Sequence, residues 1–182
     1  SVKQNFHVGM RSLKTSLSVF MVVLISAFIS IDPQIAALSA VFSQRADVTS
    51  SLSFGLRRTL AIVCGAFASL VFIFLHKLLP DHYLITALLG GLGILITIQS
   101  NLLVKNPQGV IGGCATFLVI VFNIPADNQY VYALLRVLDT FLGAIVAVGI
   151  EYIFPRERVV PWILTYNSHV PKFLQISTSE DV

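Results

Sequence analysis

Arg58 and Arg136 each open a long apolar run, and each is followed seven residues later by a Gly-Ala pair, Gly65-Ala66 and Gly143-Ala144. A guanidinium stays ionised in proteins and is costly in hydrocarbon, so such a residue must face protein, a polar path or lipid headgroups. Two copies in one local frame read as cationic sites at equivalent positions of an internally repeated membrane protein. Fixed positive charge there favours anions. Asp139 follows Arg136 by three residues, on nearly the same helical face, and can neutralise it. Such a pair either holds the bundle together or couples proton movement to the solute. Arg57 and Arg11 complete the candidate anion-contacting set.

Other chemistry is poorly represented. His76 and His82 flank one loop with Lys77 and Asp81, a spacing that suits neither a catalytic triad nor a metal site. Cys64 and Cys114 lie inside apolar runs without ligand spacing and read as small structural residues. There is no phosphate-cradling loop and no nucleophile beside a base. An enzyme is not expected, nor a metal or cofactor.

The elements that must position these arginines follow from composition. The chain has 182 residues, 55% hydrophobic and only 12% charged, with mean hydropathy +0.83, whereas soluble domains carry roughly 25% charged residues. Apolar segments occur at about Leu13–Ile31, Gln34–Ser43, Arg57–Leu79, Tyr83–Ser100, Gly109–Ile124 and Val131–Phe154. A bilayer core needs about 20 helical residues, so the first, third, fourth and sixth segments span easily, while the second and fifth are short. Pro33, Pro80, Pro107, Pro125 and Pro155 fall between the runs, where a missing N–H costs least. The expected fold is all-α and integral to the membrane, with a six-helix transmembrane domain over 1–155. Residues 156–182 form a cytoplasmic or interfacial tail carrying Trp162, Tyr166 and Phe173, with Ser177–Val182 expected to be disordered. Ser43–Ser53 reads as a polar loop, with a helical cap before Leu56.

Charge sets the expected orientation. With the N-terminus inside, the cytoplasmic side holds Lys3, Arg11, Lys14, Arg45, Arg57, Arg58, Lys105, Arg156, Arg158 and Lys172, and the other side only Lys77 and Arg136. Both termini are therefore expected in the cytoplasm. The pI near 9.0 reflects this asymmetry and not a nucleic-acid footprint. Glu151, near the cytoplasmic end of the sixth segment, reads as interfacial.

Aligning Arg58 with Arg136 offsets two halves by 78 residues, and the order long, short, long recurs in each. Three spans per unit is odd, so the second unit is inverted relative to the first. Short segments at corresponding positions then point to a central binding site. Inversion assigns Arg58 to the cytoplasmic N-terminus of the third span and Arg136 to the outer N-terminus of the sixth, one anion-attracting helix end per face. Each arginine can also snorkel to the headgroups.

The stretch Ala37–Ala66, with its small-residue short span, Ser-Gln-Arg loop and Gly55-x-x-Arg58 leading to Gly65-Ala66, together with Arg136…Gly143-Ala144, resembles the fusaric acid resistance / aromatic acid exporter superfamily. Plant aluminium-activated malate transporters look like distant relatives. The resemblance implies a six-span unit that assembles into homo-oligomers, often dimers, and exports or conducts organic anions such as aromatic carboxylates. Membrane lipids are its other partners. Many relatives carry a further cytoplasmic domain or second membrane unit, so this chain reads as a minimal member or as part of a longer protein. Two rivals stand beside the anion exporter: a non-transporting membrane scaffold, and a lipid-handling protein whose arginines bind lipid phosphates.

Overall fold

A computed structural model describes residues 8–178 as an all-helical chain. The helices are α1 (Met10–Ile29), α2 (Gln34–Ser43), α3 (Val48–Leu78), α4 (Tyr83–Leu103), α5 (Val110–Asn123), α6 (Gln129–Ile153) and α7 (Arg156–His169). Among the described residues, four helices are long and apolar enough to cross a membrane: α1, α3, α4 and α6, the last with the short turn that precedes it. The short second and fifth segments are α2, with 10 residues, and α5, with 14.

Each helix boundary has a local cause. α1 ends at Ser30, whose left-handed φ of 54° lets its N–H reach back to the Ser26 carbonyl. Asp32 then accepts the Gln34 N–H at 3.0 Å and starts α2. Asp47 does the same for α3, taking the Ser50 N–H at 2.9 Å and the Ser50 hydroxyl at 2.6 Å. At α4 the ring of His82 accepts the Leu84 N–H at 3.2 Å. A single 3-10 turn, Pro107–Gly109, leads into α5.

Two expectations are corrected. α3 begins at Val48 rather than Arg57, and its 31 residues give roughly 46 Å at 1.5 Å per residue. The serine-rich stretch read as a loop is helix because Asp47 caps it, although it is too polar to register as a span. The C-terminal stretch contains helix α7, and Ser177, expected to be disordered, pairs with the start of α1. Its carbonyl accepts the Met10 N–H at 3.1 Å and its N–H reaches the Val8 carbonyl at 3.0 Å. Residues 179–182, the rest of that expectation, and Lys3 from the charge count lie outside the described residues.

The helices group into two compact units, divided inside α3 and α6. Unit 1 takes the described residues up to Gly55 and from Leu142 onward, and unit 2 is Leu56–Phe141. Small residues make the core of unit 1: Val22, Ala36, Ala40 and Ala147. Two helices come close at Gly143 of α6, where an added Cβ would run into the Ala36 carbonyl of α2. The core of unit 2 is larger and aromatic, with Phe72 edge-on to Phe117 at 5.9 Å and to Phe122 at 6.2 Å. Here Gly65 of α3 sits against the Gly113 carbonyl of α5, and a Cβ would again collide with backbone. Glycine is required at both crossings because the facing atoms are main chain and cannot swing away.

Candidate functional site

The crossing at Gly65 places the arginines of unit 2. Gly113 of α5 has the Ala61 carbonyl, Thr97 and Asn101 at 2.9–3.0 Å from the position a Cβ would take. Buried Asn106 locks the same corner: its Nδ2 donates to the Arg57 carbonyl at 2.7 Å. With α3 and α5 held this close, the Arg58 guanidinium reaches α5, Nη1 lying 3.8 Å from where a Gly112 Cβ would be. From α6, Arg136 Nε donates to Thr116 Oγ1 at 3.3 Å and Nη1 to the Tyr132 hydroxyl at 3.4 Å. Thr116 in turn donates to the Gly112 carbonyl at 2.9 Å. Both guanidiniums therefore converge on one turn of α5, Gly112–Thr116, and both are half-buried.

This corrects the expected separation of the arginines to two faces. Arg58 is the eleventh residue of α3, about 15 Å from its start at 1.5 Å per residue. Arg136 is the eighth residue of α6, about two turns in. Neither occupies the first turn, where unpaired N–H groups and the helix dipole would act on an anion. Their shared feature is instead a glycine-thinned turn of a short helix. Asp139 is half-buried one turn along from Arg136, and Arg57 is exposed, contributing its backbone carbonyl to Asn106.

Arg11 belongs to unit 1, which holds a buried polar network that the sequence reading missed. Lys14 Nζ of α1 pairs with Glu151 Oε1 of α6 at 2.7 Å, their side chains 6% and 1% exposed. Gln44, from the α2–α3 linker, donates Nε2 to Glu151 Oε2 at 3.0 Å and accepts Ser18 at 2.8 Å. Glu151 is thus an interior acid and not an interfacial one, because a cation and an amide stand where water would be. A signal for it existed: Lys14, Ser18, Val22 and Ser26 recur every four residues and are all buried, so the mainly polar stripe of α1 faces protein. Above this network Arg11, Lys14 and Arg45 line a cavity of about 240 Å³. The Arg45 guanidinium lies 3.8 Å from the Phe54 ring centroid. Burial and the neighbouring Arg11 charge hold its pKa below the ordinary arginine range.

Apolar spanning helices with cations lodged at internal positions define a multi-pass, all-helical membrane protein. Within that class the chain belongs to the aromatic acid exporter family, member 1 type, whose model matches residues 6–154. Membership bears out the resemblance drawn from Arg58, Gly65-Ala66 and their counterparts, and supports a membrane transport role. A UPF0421 protein of Bacillus cereus (strain ATCC 10987 / NRS 248) is 26% identical over 145 residues, 80% of this chain and 39% of that protein. A UPF0421 protein of Bacillus thuringiensis (strain Al Hakam) is 25% identical over the same shares of each chain. The chain thus spans about two fifths of these relatives' length. No solved structure matches it.

Proposed function

We propose that the chain forms the membrane portion of an exporter or channel for small organic anions, aromatic or other carboxylates. The convergence of Arg58 and Arg136 on the Gly112–Thr116 turn carries this reading. Two guanidiniums at one thinned turn concentrate positive charge where a carboxylate could be recognised. The family's name supports the aromatic acid as substrate class.

An inverted repeat of two three-helix units is part of the proposal. Gly65 meets the short helix α5 at Gly113, and Gly143 meets the short helix α2 at Ala36. Each third helix thus packs on the other triplet's short helix, which supports the 78-residue alignment. Both termini are assigned to the cytoplasm. Of the ten cations counted there, Lys14 is buried in an ion pair and Arg58 is internal, which leaves eight; on the other side the internal Arg136 drops out and leaves Lys77. The asymmetry survives the correction. Assembly into a homo-oligomer, a dimer first, is proposed with it.

The test is flux of benzoate through purified protein in liposomes, with and without a proton gradient. Arg136→Gln should reduce flux at least tenfold, while the exposed Arg57→Gln leaves it near the parent rate. Equal flux from parent and Arg136→Gln would remove the arginine pair from the pathway.

A further inference from the structure

The unit 1 cavity shares no residue with the Arg58–Arg136 turn, and its lining has a chemistry of its own. Met10, Arg11 and Lys14 come from the first turns of α1, Arg45 from the α2–α3 linker, and Ser50 and Phe54 from the first turns of α3. Three of these carry positive charge. Glu151, which pairs with Lys14 at 2.7 Å, is also engaged by Gln44 at 3.0 Å. Asp47, on the same linker, is exposed and turned to Ser50, which donates to both of its oxygens. The cavity is left with an excess of cation over anion.

Arg45 is the group most in want of a ligand. One face of its guanidinium is taken by Phe54, and its Nε is buried without a hydrogen-bond partner among the described residues. Stacking on an aromatic ring leaves the in-plane N–H groups free to take an oxyanion edge-on. Arg11 is exposed and lines the same cavity. Phe54 and Met10 supply the apolar complement. The volume of about 240 Å³ is below the roughly 300–1,000 Å³ of pockets for drug-sized ligands, which suits a single ring bearing one acid group.

We propose that this cavity is a second binding site, for a small aromatic carboxylate, with the acid group held by Arg45 and Arg11 and the ring packed beside Phe54 and Met10. Lys14 forms the floor, so the bound acid meets a cation that Glu151 already shares. The site does not require that the chain transport anything. Its occupancy is a property of unit 1 alone.

The experiment is equilibrium titration of the purified full chain in neutral detergent with benzoate, and with benzamide as the uncharged isostere. It is run in the parent and in an Arg136→Gln background, so that acid bound at the unit 2 turn does not contribute. Saturable benzoate binding is expected in that background, with benzamide at least tenfold weaker. Arg45→Gln should weaken benzoate about tenfold or more, and Arg11→Gln and Phe54→Leu several-fold. Melting profiles of each variant confirm folding; Arg11 and Phe54 are surface-accessible, so those two variants keep the test open should Arg45→Gln not fold. Unchanged benzoate affinity in the Arg45 and Arg11 variants overturns the proposal. So does native mass spectrometry showing anionic phospholipid held by the parent, lost from Arg45→Gln and not displaced by benzoate, since the cations would then serve a lipid phosphate. Flux is not read in this experiment, so a chain that binds without transporting would sink the export reading and leave this one standing.

Discussion

Breaking the Lys14–Glu151 pair from one side should cost far more than removing it whole. Glu151 is 1% exposed and Lys14 5%, so Glu151→Leu leaves an ammonium group buried with no counter-charge. The expected loss is about 3–5 kcal/mol, and Lys14→Met should lose as much by stranding the carboxylate. In the double variant no charge is stranded. What remains is Gln44, whose Nε2 loses its 3.0 Å acceptor, an unsatisfied buried donor costing about 1–3 kcal/mol. The double variant should therefore be more stable than either single variant, with a coupling of about 3 kcal/mol or more. At roughly 2–4 °C per kcal/mol for a chain of this size, each single variant should melt roughly 10 °C below the parent. The assay is the fraction of protein still monodisperse after stepwise heating in detergent, at a fixed heating rate because unfolding is commonly irreversible. Single variants melting within about 2 °C of the parent would refute the reasoning. So would a double variant that loses the sum of the two.

Three further outcomes follow from particular contacts. Gly65→Leu and Gly143→Leu each drive a side chain into a backbone carbonyl and should cost at least about 1–3 kcal/mol; Gly149→Ala, with open space around it, should gain up to about 1 kcal/mol, and the same melting assay ranks them. Asn106→Ala should cost about 1–3 kcal/mol by removing the donor to the Arg57 carbonyl, and should lower benzoate flux as the seat of Arg58 loosens. Asp47 is held below its ordinary 3.8 by the Ser50 hydroxyl and N–H, so its cap on α3 is complete above that pH and is lost as pH falls through the lower folded value. Hydrogen exchange at Ser50 and Ser51 should therefore rise below about pH 3.8 in the parent and be fast at neutral pH in Asp47→Ala; a parent with unchanged protection down to pH 2 would show that the cap is not Asp47.

Hydropathy made the apolar segments legible because it measures what a bilayer measures. It placed α2 at Gln34–Ser43 to the residue, and Pro33, Pro80, Pro107, Pro125 and Pro155 fall outside the α-helices. It could not show that α3 begins at Val48, because a capped serine-rich turn is helical without being apolar; the Asp47-x-x-Ser50 spacing carried that information instead. Contacts between distant residues were out of reach. Lys14 and Glu151 are 137 positions apart, and the meeting of Arg58 with Arg136 on α5 depends on how closely Gly65 lets two backbones approach. A count of cations for topology treats Lys14, Arg58 and Arg136 as loop charges, when the structure buries the first and half-buries the others.

In the proposed repeat, backbone packing recurs while side-chain chemistry does not. At the 78-residue offset Gly65 aligns with Gly143, and both fill the same role against a short helix. The same offset aligns Ile73 with Glu151, and both are buried. Yet Ile73 joins an aromatic core with Phe72 and Phe117, whereas Glu151 holds a lysine and a glutamine. A helix crossing restricts what can stand where backbones touch, so the glycines repeat. One turn or two further along, a buried position asks only that its occupant be satisfied, by apolar neighbours in one unit and by a paired charge in the other. The two halves thus share a crossing and differ in charge. An anion entering unit 1 would meet Arg45 and Arg11 beside a lysine that Glu151 already shares, and one reaching the α5 turn of unit 2 would meet Arg58 and Arg136. If the chain does move anions, that difference supplies unequal sites within a repeated frame, and Glu151→Leu should alter benzoate binding in unit 1 without changing it at the Arg136 turn.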